Sequence, residues 1–201
     1  LAGSYENGAE SVFAIQYSDN DGTLYGRLNF GDVLSVPQGL GCCDFHKPSQ
    51  NLVNAFKTTS NGLPMFDTFN QLNNFEVDPR LYHTVALPGL PYKYHPDYIY
   101  EESWNRSPGT YGFYSSLKEN VQPDCGCFVN IDPFYGNSKN RIVIRYADVI
   151  LMRAEALIEL GQIQDALPLI NMIRTRAAAS TTLTSGYTSN TNIETYQDGV
   201  N

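Results

Sequence analysis

The stretch RIVIRYADVILMRAEALIELGQIQDALPLINMIRTRAAA, residues 141–179, decides the fold. Tyr146, Val149, Ile150, Ala154, Leu157 and Ile158 recur at three- and four-residue intervals, which places them on one face of a helix. Gly161 stands where a left-handed C-cap is wanted, and Ile163, Ala166, Leu167, Ile170 and Ile173 then repeat the spacing. The second helix is predicted to start near Gln164 or Asp165, so that Pro168 falls close to its first turn, where a missing N–H costs little. Arg174 and Arg176 fall in its last turn, facing the negative end of the helix dipole. Helices joined by so short a turn pack antiparallel, and Ala154, Ala156, Ala166 and Ala177 allow close approach. The hairpin has about the length of a tetratricopeptide-type repeat, and such a unit needs stacked neighbours to close its core.

Upstream, residues 11–18 alternate apolar and polar positions led by Val12, Phe13 and Ile15, a strand ended by the turn formers at 19–22. A helix is predicted near 49–57, after Pro48, with Leu52, Val53 and Phe56 on one face. Residues 60–80 mix Gly, Pro, Asn and Asp and read as an irregular crossing segment, while 81–87 suit a strand. Residues 88–133 are rich in Pro and Tyr and poor in aliphatics, which favours long ordered loops. Residues 180–201, dominated by Thr, Ser and Asn, are assigned as a polar loop or mobile tail. The organisation expected is thus a loop-rich region over 1–140, a hairpin over 141–179 and the tail.

Composition narrows the function. With 13 basic against 21 acidic residues, a net charge of −8 and a pI near 4.7, the chain lacks the clustered basic excess that nucleic acid requires. No apolar run is long enough to span a bilayer, and residues 1–30 lack the charged start and apolar core of a signal peptide, so an internal or processed piece is expected. Glu101 and Glu102 are neighbours that would point opposite ways on an extended chain, so they do not form a glycosidase pair. His46, His83 and His95 lie in unrelated segments, and neither a G-x-S-x-G elbow nor a P-loop is present. A non-catalytic binding protein is therefore expected.

Ligand chemistry is sought in the aromatic loops. Tyr94, Tyr98, Tyr100 and Trp104 cluster with Asn105 and Arg106; flat rings stack on the C–H face of a sugar while amide and guanidinium groups bond its hydroxyls. Tyr and Phe packed beneath long loops give the same pattern without any ligand. Cys42-Cys43 and Cys125-Gly126-Cys127 form two close sets that suit a disulfide between them, free thiols or an irregular metal site. No resident cofactor is expected beyond a calcium candidate at Asp19 and Asp21.

RYADVILMRAEALIELGQ at 145–162, ESVFAIQYS at 10–18, PSQNLVNAF at 48–56 followed by Gly62, VDPRLYHTVALPG at 77–89 and YSSLKE at 114–119 share a further feature. Taken in order, they resemble the SusD/RagB family of outer-membrane nutrient-binding lipoproteins of Bacteroidetes, with Asn54 and Asn61 standing where that family usually has acids. The resemblance implies a mainly α, SusD-like fold with long ordered loops, a few short strands and a tetratricopeptide-type hairpin at 145–179. It further implies capture of an oligosaccharide, or of a peptide in RagB-like relatives, at the extracellular face of the outer membrane. The ligand would pass to a TonB-dependent, SusC-like transporter, with a lipid anchor lying outside this chain. A glycoside hydrolase and a helical-repeat adaptor are the more distant alternatives.

Overall fold

The computed structural model describes residues 6–24, 26–65, 76–118, 120–131, 134–187, 189 and 192–197. Part of the expected crossing segment (66–75), Glu119 of the Lys-bearing stretch, the end of the aromatic loops (132–133) and 198–201 of the tail lie outside the described residues.

Two helices dominate, α3 at Tyr146–Glu159 and α4 at Ile163–Ala178, preceded by the short helices α1 at Gln50–Asn54 and α2 at Pro108–Tyr111. Eight short strands pair two by two: β1 (Ser11–Ile15) with β8 (Arg141–Arg145), β2 (Lys57–Thr58) with β3 (Glu76–Val77), β4 (Val85–Ala86) with β5 (Ser115–Ser116), and β6 (Phe128–Ile131) with β7 (Phe134–Asn137). The expected mainly α fold with long loops and few strands is the fold observed. Its residues divide into two compact units, each built from separated segments.

The hairpin belongs to the unit made of Ala9–Phe13, Asn54–Leu81 and Ile144–Asn201. Gly161 adopts φ +74°, the left-handed conformation its position required, and its N–H donates to the Ile158 carbonyl at 2.9 Å. Asp148 caps the start of α3 by accepting from the Arg145 backbone N–H at 2.9 Å, which with the adjacent guanidinium holds its carboxyl below the usual range. Ala154, Ala166 and Ala177 are buried where the helices meet, whereas Ala156 faces out. The predicted apolar face of α3 is also split: Ile150 and Ala154 are buried, while Tyr146, Val149 and Ile158 are exposed. Together with exposed Met152 and Leu160, Tyr146 and Val149 form a stripe of the kind a stacked neighbour covers.

Several expectations are corrected. The second long helix, α4, begins at Ile163, one residue earlier than predicted, so Pro168 is its sixth residue and lies within the helix. The helix expected over 49–57 is only Gln50–Asn54, because the backbone at Lys57 enters a strand; its buried residue is Asn54, and Leu52 faces solvent. Over 81–87 a 3₁₀ turn, Pro79–His83, precedes the two-residue β4. The strand at 11–18 stops at Ile15, with Val12, Phe13 and Ile15 exposed.

The tail is anchored over 192–197. Arg174, 5% exposed, donates from Nε to the Glu194 carbonyl at 2.7 Å and from Nη2 to the Gly62 carbonyl at 2.9 Å, with its guanidinium 4.3 Å from the Tyr196 ring centre. Asn171 exchanges both of its amide groups with the Tyr196 backbone. The dipole role read for Arg174 is therefore replaced by a crosslinking one.

Candidate ligand-binding site

The aromatic loops lie in the unit made of Leu1–Gly8, Ala14–Val53 and Tyr82–Val143. Their backbone bonds are to one another: the Tyr92 N–H donates to the Tyr98 carbonyl at 2.7 Å, Tyr100 to Leu90 at 2.9 Å and Gly89 to Tyr100 at 2.8 Å. This satisfies the polar backbone without regular elements. Lys93 and Tyr94, both at positive φ, make the reversal.

Beneath the loops Ala86, Tyr92, Tyr100 and Leu117 form a buried cluster, with Leu40, Tyr98 and Trp104 packed against it. The Trp104 indole stands edge-on to Tyr100 at 5.6 Å and tilted to Tyr92 at 6.1 Å. Its other contact is Gly39, where an added Cβ would lie 2.3 Å from the indole. Glycine is required there because the ring occupies the side-chain position.

A buried polar clasp holds this arrangement. Asp44, 1% exposed and at φ +52°, accepts from Lys47 Nζ at 2.6 Å, from the Arg106 backbone N–H at 2.6 Å and from the Ser115 hydroxyl. Lys47 also donates to Asn105 Oδ1 at 2.6 Å, which accepts from the Tyr100 hydroxyl at 2.7 Å. Arg106 donates from Nε to the Cys43 carbonyl at 2.8 Å and lies over the Phe45 ring at 4.6 Å. Each member is charge-paired or hydrogen-bonded, as a buried ion pair must be.

The six residues singled out in sequence therefore part company. Trp104, Tyr98 and Arg106 are half-buried, with surface left for a ligand. Tyr100 is 0% exposed and Asn105 3%, and both are spent on internal bonds. That corrects their reading as direct contacts, since a ring without exposed surface cannot stack. Burial also pushes the Tyr92 and Tyr100 hydroxyls well above the usual phenol range. Tyr94 turns to His83, its hydroxyl 2.7 Å from Nδ1.

Beside this cluster, sharing Leu40, Tyr92 and Tyr98 as walls, lies a cavity of about 180 Å³ closed by Val33, Phe128, Tyr135 and Asn137. The sequence reading gave residues 134–140 no role, although the hairpin of β6 and β7 supplies Phe128, Tyr135 and Asn137, paired across it as Phe128↔Asn137 and Asn130↔Tyr135. The β-branched and aromatic residues of FVNI and FYGN, separated by the turn-forming Asp132-Pro133 of the sequence, were its available signal.

Cys42 is bonded to Cys43 and Cys125 to Cys127, which corrects the link expected between the two sets. Each pair is closed by its own turn: the Cys43 and Asp44 N–H groups both donate to the Val36 carbonyl, and Phe128 donates to Cys125. Asp21 accepts from the Thr23 N–H and hydroxyl and from Ser18, bonds that lower its pKa and shape a turn. Among the described residues no group of three or more His, Cys, Asp or Glu converges as a metal site would.

The family model described as SusD family matches residues 9–200. The chain belongs to the SusD family. A SusD-like protein, P38, of Formosa agariphila is 36% identical over 90 residues, covering 39% of this chain and 18% of that protein. The crystal structure of a SusD-like protein from Bacteroides fragilis overlays with a TM-score of 0.52 at 23% identity, covering 85% of this chain and 36% of that one. The likeness to it is one of fold, and the chain spans only part of the length of both SusD-like relatives.

Proposed function

We propose that this SusD-family chain is part of a non-catalytic, cell-surface nutrient-binding protein that captures a neutral oligosaccharide on the face carrying Trp104 and Tyr98. The observation that carries this reading is the seating of Trp104: a half-buried indole fixed by Gly39, Tyr92 and Tyr100 over a fully bonded clasp. A ring held in place loses little entropy on stacking, and Arg106 beside it supplies donors for hydroxyl groups. Family membership supports delivery of the ligand to a TonB-dependent, SusC-like transporter at the outer membrane. No helix among the described residues is long and apolar enough to cross a membrane. Affinity in the micromolar range or weaker follows, since shallow stacking buries little surface and the ligand must be released.

Calorimetric titration of the parent protein with plant, host and microbial oligosaccharides tests this. Saturable binding to at least one, lost in Trp104→Ala, is expected; no binding to any glycan sinks the reading.

A further inference from the structure

The cavity walled in part by Leu40, Tyr92 and Tyr98 of the aromatic cluster has a size, a lining and a built wall that together specify an occupant. At about 180 Å³ it slightly exceeds the roughly 150 Å³ cavity that holds a benzene ring, which leaves space for one substituted six-membered ring and not for two. No carboxylate, ammonium or guanidinium lines it. A charged occupant would therefore lose hydration without gaining a counter-charge.

The lining is not purely apolar. Asn120 is committed, donating from Nδ2 to the Ser35 and Ser116 carbonyls and accepting from the Ser35 hydroxyl. By contrast, the buried Tyr92 hydroxyl, the Tyr98 and Tyr135 hydroxyls and Asn137 Nδ2 have no hydrogen-bond partner among the described residues. Four uncommitted polar groups beside the aromatic rings of Tyr98, Phe128 and Tyr135 suit a polyol with an apolar C–H face better than a hydrocarbon.

The walls are preformed. Gly41, at φ +98°, brings its backbone against the Tyr135 hydroxyl so closely that a Cβ there would stand 2.1 Å from it. The adjoining Cys42–Cys43 disulfide limits the freedom of that loop, and Phe128, whose ring lies 5.6 Å from that of Tyr135, follows the Cys125–Cys127 disulfide, with the Cys127 carbonyl accepting from the Ser138 N–H at 2.9 Å. Both disulfides span one or two residues, so they stiffen local loops far more than they join distant parts of the chain.

We propose that this cavity is a subsite for one neutral pyranose ring of the captured saccharide, walled by Tyr98, Phe128 and Tyr135. The proposal rests on the saccharide reading above and adds that one ring of the ligand is held in this cavity apart from the Trp104 platform.

The test uses the full chain, an oligosaccharide found by the calorimetric screen, and methyl glycosides of glucose, galactose, mannose and xylose with methyl glucuronide as the charged control. Saturation-transfer NMR should detect at least one neutral methyl pyranoside, which competes with the oligosaccharide, and should not detect the glucuronide. Val33→Trp, which fills the cavity, should abolish the methyl pyranoside signal and weaken the oligosaccharide by about tenfold or more. Tyr135→Phe, which keeps the ring and removes the hydroxyl, should weaken both about three- to tenfold and covers the case in which Val33→Trp fails to fold. Oligosaccharide binding that is lost in Trp104→Ala but untouched by Val33→Trp or Tyr135→Phe overturns the subsite and leaves the platform standing. Absence of any saccharide binding overturns both.

Discussion

Replacing Asp44 by alanine is predicted to destabilise the chain by about 3–5 kcal/mol, the cost of removing one partner of a buried ion pair. The structure supports the upper class of effect because nothing can compensate: Lys47 keeps only 10% of its side chain in solvent, and its remaining partner, Asn105, is neutral. The Arg106 N–H and the Ser115 hydroxyl lose their acceptor at the same time. These losses share one group and are not additive. The assay is urea unfolding followed by circular dichroism, where the midpoint should fall while the m-value stays constant. A double variant, Asp44→Ala with Lys47→Met, should recover part of the loss, because the stranded ammonium is gone. A loss below about 1 kcal/mol, or a double variant less stable than Asp44→Ala alone, would show that the clasp is not the support argued for Trp104.

Other expectations follow from single contacts. Burial, with Lys139 and Lys118 nearby, holds the Lys93 ammonium down to about 7 from its usual 10.5, while its Nζ donates to the Leu117 carbonyl at 2.6 Å. Between those two values the unfolded chain binds the extra proton, so this group makes stability rise with pH from about 7 toward 10.5; Lys93→Met should flatten that slope in melts taken across the range. Arg174→Met leaves two carbonyls without their charged donor and should cost about 2–4 kcal/mol, seen as a lower melting temperature; a shift under about 1 °C would refute the anchoring of the tail. Tryptic digestion without reductant should release the Cys42–Cys43 and Cys125–Cys127 segments as separate peptides, each lighter by two hydrogens than its reduced form. A single crosslinked species carrying both segments would contradict that pairing.

What could be read from the sequence was what repeats locally. The hairpin was legible because a 3.6-residue period and one glycine determine it, and Gly161 adopts the conformation its position demanded. The period says that a stripe is apolar but not what covers it, which is why Tyr146 and Val149 were grouped with Ile150 although they face solvent. Arg174 looked like a dipole residue because its partners, the carbonyls of Gly62 and Glu194, are remote in sequence. The loops were the least legible for the same reason. Asp44 meets Arg106 and Ser115 across 62 and 71 residues, and Tyr135 meets Gly41, contacts that no local pattern encodes. The aromatic cluster was located by composition, but composition could not separate the ring left at the surface, Trp104, from the ring that became core, Tyr100.

Trp104 is the only tryptophan in the chain, so its fluorescence reports on the proposed site without labelling. Titrating the parent protein with an oligosaccharide identified by calorimetry should shift or quench this emission along a saturation curve with the calorimetric dissociation constant. Saturable calorimetric binding with no change in Trp104 emission would place the ligand elsewhere and contradict the account.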